Sequence, residues 1–433
     1  MIEVLNKNIK SNWLGEFPEH WEVLRIKNVF TEIENRSETG SEELLSVSHY
    51  TGITLKRESL ENEDDFLSNA ASLVGYKLVQ KGDLVINIML AWNGSLGIST
   101  HNGITSPAYC VYRVKGNNNP EYFGYLFSTN LYKAEFRRHS TGIIDSRLRL
   151  YSDKFFSIFT LVPPKDEQDE IVQYIKAQEE KINLFIEKKQ RFIEFLKEQK
   201  LFVINKAVIY GLDNQAAKKA SGIEFVGDIP AHWSIKRGTA LFDLQSESIS
   251  IEKLREFDLV QYYSIPSVQN FNAPTPTNAE EIDSNKQILT GDELLVSKLN
   301  PRKKTIIISV KSDLPMIAST EFVVLKPKDI EIEYAYYLFL SDITTDRISS
   351  TVQSATNSHQ RAYPHHIYKL WHAVPPELEQ KQIVSHIKTE TETIDTAIAK
   401  AEREIELIRE YKEAMIAEVV MGKRISNIQA NKY

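Results

Sequence analysis

Val162-Pro-Pro-Lys-Asp-Glu-Gln-Asp-Glu-Ile171 opens a run without glycine or proline that lasts to Gly211. The same signal returns 212 positions later as Val374-Pro-Pro-Glu-Leu-Glu-Gln-Lys-Gln-Ile383, and the second run lasts to Gly422. A proline pair ends a strand and pre-sets the first helical turn, while a glycine past the last apolar position is a C-terminal stop. In the first run apolar residues fall at Ile171, Ile175, Ile182, Phe185, Phe192, Leu196 and Val203. In the second they fall at Ile383, Ile387, Ile394, Ala397, Ala401, Ile405, Ile408, Met415 and Val419. Steps of three and four are the seam of a coiled coil. At about 1.5 Å per residue, positions 166–209 extend about 66 Å, too long to fold back into a compact domain. Each helix therefore needs a partner of its own length. The expectation is an intramolecular antiparallel pair with one globular module at each end, in preference to a coiled coil between two chains.

Working outward, the whole chain is duplicated. Phe17-Pro-Glu-His-Trp21 returns as Ile229-Pro-Ala-His-Trp233, Glu121-Tyr122 as Glu333-Tyr334, and Arg149 as Arg361, all at the offset of 212. Gly82-Asp83 and Gly291-Asp292 match at 209, so short insertions separate the landmarks. Residues 37–80 and 245–290 do not align. A common frame with divergent middle segments suggests two sites built for different targets. The expected organisation is α+β with a pseudo-twofold repeat. Module 1 is 1–160, a long helix 161–212, module 2 is 213–372, a second long helix 373–425, and a tail 426–433. Within the modules, strands are expected after Gly82-Asp83 and Gly291-Asp292 and over Ala108–Val114 and Glu321–Lys326. Helices are expected over Tyr122–Phe136 and Tyr334–Leu340.

Of 433 residues, 42% are hydrophobic and 26% charged, the balance of a water-soluble chain, and no stretch is long and apolar enough to span a bilayer. The first residues lack a signal core, and Cys110 is the only cysteine. A cytoplasmic protein without an internal disulfide or cysteine-cluster metal site is expected. The net charge of −7 argues at first against nucleic acid. Positions 31–70, however, hold ten acids against three bases, so the remainder is neutral and can present a basic face.

Such faces are expected in both copies. The first offers Trp92 and Asn93 after a strand, then Arg137, Arg138, Arg147 and Arg149 with Lys133. The second offers Lys298, Asn300, Arg302, Lys303 and Lys304, then Asn357, His359, Gln360 and Arg361. Arginine and lysine bind phosphate or guanine, and asparagine and glutamine pair with adenine. Taken singly, each cluster is more simply a solvated surface; the recurrence ahead of both Val-Pro-Pro marks is what favours DNA. Trp21 and Trp233, each after a proline turn, read as core rather than base-stacking residues. His365-His366 has no ligand partner at metal spacing, and Cys110 reads as a buried, inert thiol.

Catalytic signatures are missing. There is no phosphate-cradling loop ending in Gly-Lys-Ser/Thr, no acidic-x-Lys nuclease pattern after Asp292, and no Asn/Asp-Pro-Pro-aromatic motif. The chain reads as a binding protein with no catalytic residue, no cofactor and no metal.

The doubled Pro-x-His-Trp, the Gly-Asp strands and Pro-Pro-x-x-Glu-Gln-x-x-Ile at the head of long helices resemble the specificity subunit of type I restriction–modification systems over nearly the whole chain. The resemblance implies two target-recognition domains that read the halves of a split, asymmetric site in double-stranded DNA. It implies a helical spacer between them. It also implies two methyltransferase subunits and two ATP-dependent translocase–nuclease restriction subunits as partners, which carry the chemistry, and no membrane. The competing reading is a structural coiled-coil scaffold with two protein-binding modules.

Overall fold

The computed structural model describes residues 12–48, 52–56, 72–144, 147–223, 226–352 and 360–423. The chain divides into two compact units. One holds the chain up to Lys188 and the segment from Arg403 onward; the other is Lys189–Glu402. Two long helices, Lys165–Tyr210 and Glu377–Val420, each contribute one part to each unit. Both end where the sequence suggests, with Gly211 and Gly422 at positive φ (72° and 78°). Among the described residues no helix is long and apolar enough to cross a membrane.

The globular part of each unit is built on the same frame. In the first, strands Phe30–Glu32, Cys110–Val114, Leu84–Ile86 and Leu96–Ile98 lie side by side in that order, all antiparallel. In the second, Phe242–Gln245, Phe322–Pro327, Leu294–Ser297 and Ile306–Ile308 repeat the order and the pairing. The register is kept as well: Leu84 faces Tyr112 as Leu294 faces Leu325. A two-stranded ribbon closes each frame, Glu22 against Val162 and Ser234 against Val374.

The sequence match at the Gly-Asp turn is off by one residue. Gly82 N donates to Ser99 O and Ser99 N to Asp83 O; in the second copy Asp292 N donates to Ser309 O and Ser309 N to Glu293 O. The local offset is thus 210. Asp292 stands where Gly82 does, at φ 65°, and Glu293 takes the place of Asp83. Both acids are buried and cap their own turn, Asp83 through Gln80 N (2.8 Å) and Glu293 through Thr290 N (2.7 Å). Asp83 also holds Arg113 through two hydrogen bonds of 2.7 and 2.8 Å.

The single helix expected over Tyr122–Phe136 is in fact two, and the helix expected over Tyr334–Leu340 is present and followed by a second. Pro120–Ser128 and Asn130–His139 break at Thr129, and Ile332–Leu340 and Asp342–Ser349 break at Ser341. Thr129 and Ser341 adopt extended backbone and accept from the amide three residues on, the N-cap arrangement. The divergent middles differ in kind. Among the described residues the first copy has two separate strand pairs there. The second has a five-stranded sheet with one parallel pair, Leu259–Tyr263 beside Met316–Ala318.

Trp21 and Trp233 are core residues, as read from the sequence, and the core explains the repeated motifs. Glu167 accepts from Trp21 Nε1 (2.8 Å) and contacts His20 Nε2 (2.6 Å); Glu379 accepts from Trp233 Nε1 (3.1 Å) and contacts His232 Nε2 (2.7 Å). Gln168 and Gln380 are buried. Each donates to the first proline carbonyl of its own Pro-Pro pair and accepts from the backbone ahead of the helix that carries Tyr122 or Tyr334. The two halves of each sequence signature are therefore one latch at the head of a helix.

The far end of the other long helix completes each unit. Tyr122 OH donates to Val420 O, and Tyr334 OH to Val208 O. In the first unit Glu179 pairs with Lys412, and Gly422 lies against Pro18 and Trp21. In the second, Lys200 pairs with Asp395, and Gly211 lies against Glu379 and Trp233. The helical segments run antiparallel in both units. The intramolecular pairing expected from the sequence is present.

The seam itself needs one correction. Phe185 and Phe192 are exposed and Val203 is half-buried, whereas Ile193, Leu196, Ile204, Ala207 and Val208 are buried. In the second helix Ile383, Ile387, Ala401, Ile405, Met415 and Val419 are buried as expected. Cys110 is only partly buried, in contact with Ser152; burial raises its pKa.

A pH effect follows from His372, which is buried on the closing ribbon beside Phe339 (ring centroids 5.5 Å apart) and has no partner for Nε2 among the described residues. Burial, with the Arg347 charge nearby, lowers its pKa from 6.5 to about 3. The fold accepts the neutral ring, while the unfolded chain takes up a proton near 6.5. This contribution to stability is therefore full above pH 6.5 and is lost as pH falls toward 3, at roughly 1.4 kcal/mol per pH unit. Denaturant unfolding at pH 7 and pH 5 should show the drop, and His372→Leu should flatten it. Identical pH dependence in the two proteins would exclude the assignment.

Candidate nucleic-acid interface

The equivalent frame places three surface pieces together in each copy. The first is a short turn after the central strand: Ala91–Asn93 in one copy, Pro301–Lys303 in the other, both 3-10. The second is the second helix of each helical pair. The third is the segment that returns to the frame after that helix. Leu150 N donates to Ile88 O, and Ala362 N donates to Lys298 O, so the returning segment docks at the same place in both.

In the first copy, Arg137 lies over the Trp92 ring at 5.3 Å, and the Lys133 side chain packs over Gly94. Asn93 and Arg147 are exposed. Thr141 and Arg149 exchange backbone hydrogen bonds of 2.9 Å, and Arg149 Nη1 donates to Leu148 O. Trp92, Asn93 and Arg137 thus belong to one surface, and Arg149 is held beside Thr141 just past the helix that carries Arg137. Arg138 is a weaker candidate than its charge suggested. It makes two hydrogen bonds with Glu135, a buried acid one helical turn away, so much of its charge is answered.

In the second copy, Asn300 N donates to Gln360 O (2.8 Å) and Asn300 Oδ1 accepts from Gln360 N (3.3 Å). Leu299 and Arg361 form a bridge. Lys298, Asn300, Gln360 and Arg361 are thereby brought side by side from positions far apart in the sequence. Arg302 and Lys303 are exposed at the tip of the turn. Lys304 is held instead by Asp342 (2.5 Å), which is itself joined to Asn205 on the first long helix. Asn300 and Lys304 both adopt left-handed backbone, at φ 43° and 49°. Asn357 and His359 lie outside the described residues.

Two of the acids are what sequence reasoning missed. Glu135 was legible as an i, i+3 partner of Arg138 on a helix. Glu321 and Asp342 are remote in sequence from Arg361 and Lys304, and nothing local announces them. The effect of the three acids is to tether Arg138, Lys304 and Arg361, while Arg302 and Lys303 stand at the tip of the turn.

No family model matches the chain. Solved structures do. A chain from work on complex assembly and conformational transition of the type I R-M system is 12% identical with a TM-score of 0.60, covering 94% of this chain and 99% of that one. The HsdS subunit from Thermoanaerobacter tengcongensis is 14% identical over 94% of this chain and 98% of its own, with a TM-score of 0.44. The type I restriction–modification S subunit from M. genitalium is 12% identical over 96% and 97%, with a TM-score of 0.34. At these identities the likeness is one of fold, and the first of the three carries it.

Proposed function

We propose that the chain is the DNA-recognition subunit of a type I restriction–modification complex. In this reading modules 1–160 and 213–372 each bind one half of a split, asymmetric site in double-stranded DNA. Helical regions 161–212 and 373–425 set the separation. Methyltransferase and ATP-dependent restriction subunits supply the chemistry, and the chain itself contributes no catalytic residue.

One observation carries the reading. Two frames of the same strand order and register present equivalent surface turns with different side chains: Trp92-Asn93 in one, Arg302-Lys303 in the other. A shared frame whose surface turns and middle segments differ between the copies is what two readers of different sequences require. Docking of partner subunits is supported by the aromatic residues that the first long helix leaves exposed in the second unit, Phe192, Phe195 and Phe202.

Mapping methylated adenines in cells with and without this gene tests the function. A bipartite motif that vanishes with the gene is expected, and an unchanged map rejects the proposal. Binding to duplex DNA should also weaken with salt, which a protein-binding scaffold would not show. Arg302→Ala and Lys303→Ala should weaken binding and relax the base preference within the second half-site while the first half-site is kept.

A further inference from the structure

We infer that Arg361 reads a guanine in the half-site of the second copy, and that Glu321 is its positioning residue. The inference rests on the DNA-recognition reading above and adds a base class and a second residue to it.

The argument starts from how firmly Arg361 is placed. Its backbone bridges Leu299, the preceding Gln360 is bonded to Asn300 on both sides, and Ala362 N donates to Lys298 O. Lys298 N in turn donates to Glu321 O. Arg361 therefore sits on a short strip tied to the turn 298–304, whose Lys298 is in turn bonded to Glu321 at the start of strand Phe322–Pro327. Its guanidinium Nη2 donates to Glu321 Oε1 at 2.6 Å, and among the described residues it makes no other hydrogen bond. The side chain is 59% exposed. A guanidinium has five N–H donors in a planar fork. One donor is engaged, which restrains the side chain, and donors remain for a ligand.

Glu321 shows the complementary feature. Its Oε2 is buried and has no partner among the described residues. Buried polar atoms in native proteins are nearly always satisfied, and exceptions call for a reason. Here the carboxylate is kept beside Arg361 rather than being turned to solvent, which suits an anchor for the arginine. Free side-chain rotation would otherwise be lost only on binding, at a cost in affinity; a pre-placed fork avoids that cost. A planar, two-pronged donor is the group that matches guanine O6 and N7 in the major groove, and a lysine cannot reproduce it.

The first copy is built differently. Arg149 occupies the place matching Arg361, but Pro107-Ala108-Tyr109, ahead of the matching strand, contains no carboxylate. A change at Glu321 should thus leave the first half-site untouched, which provides an internal control.

The test uses the full chain in the assembly captured from its own cells through a C-terminal tag, presented with a pool of duplexes of random sequence. The wild type should enrich a bipartite motif with a guanine in the second half. Arg361→Lys should keep binding and the first half-site while the preference for that guanine falls by about tenfold or more. Glu321→Gln should relax the same single position and leave its neighbours as they were, an effect that general loosening of the module would not give. If Glu321→Gln fails to fold, Arg361→Lys, at an exposed position, still decides the question. A wild-type motif whose second half is the same in both variants overturns the inference alone. A wild type that enriches no motif overturns it together with the DNA-recognition reading.

Discussion

Trp21→Ala is expected to lower stability by about 3–5 kcal/mol, the largest single loss we anticipate. The ring is 3% exposed, packs edge-on to Tyr122 (centroids 6.4 Å apart, planes at 90°) and donates to Glu167. It also forms the seat for the end of the second long helix: a Cβ added to Gly422 would lie 3.0 Å from the ring and 2.4 Å from Pro18. Removal of the indole therefore opens a cavity where the module entrance, the head of one long helix and the tail of the other meet. Trp21→Phe keeps most of the volume and loses only the N–H, so a loss of about 1–2 kcal/mol is expected. Denaturant unfolding reads both values. Trp233→Ala should behave alike, because Trp233 meets Glu379 and Gly211 in the same way. A Trp21→Ala protein within about 0.5 kcal/mol of wild type would mean that the latch is dispensable.

The latch also shows what the sequence could and could not disclose. Pro-x-His-Trp and Pro-Pro-x-x-Glu-Gln were visible as separate repeated motifs. That they are one structure, joined across 146 and 147 positions, needed coordinates. The long helices were legible because proline, glycine and a three–four spacing are strong local signals. Their buried face was only partly so. In the first helix the true phase runs Ile182, Ile186, Lys189, Ile193, Leu196, Lys200, Ile204 and Ala207, with both lysines half-buried. Long lysine stems can cover apolar surface. A reading that follows apolar identity selects Phe185 and Phe192 instead and drifts off the face.

Identity misled at the Gly-Asp turn in the same manner. Two Gly-Asp pairs invite alignment, yet hydrogen bonding equates Gly82 with Asp292. An aspartate tolerates the left-handed conformation better than most residues, so the turn survives the exchange. The candidate interface was legible as basic and amide residues near two equivalent turns. Which of them are tethered was not, because Glu321 and Asp342 come from distant parts of the chain. Charge counts along a sequence locate possible phosphate or base contacts; the acids that answer them are a property of the fold.

The second large effect concerns the helices as a ruler and depends on the proposed function. Both helices are continuous between the Glu179–Lys412 pair in one unit and the Lys200–Asp395 pair in the other. Deletion of seven residues from each helix within that interval removes two turns and preserves the phase of the buried face. At about 1.5 Å per residue the loss is about 10 Å, or about three base pairs at 3.4 Å each. Neither candidate reading surface is touched. The deleted protein should therefore select the same two half-sites with a spacer shorter by about three base pairs, read from methylated-adenine maps or from selection on random duplexes. Deletion of five residues instead would rotate the apolar face by about 140°, away from its partner, and loss of folding is the expected result. A seven-residue deletion that folds, keeps both half-sites and keeps the original spacer would show that the helices do not measure the distance, and the two-reader scheme would then need another source for its geometry.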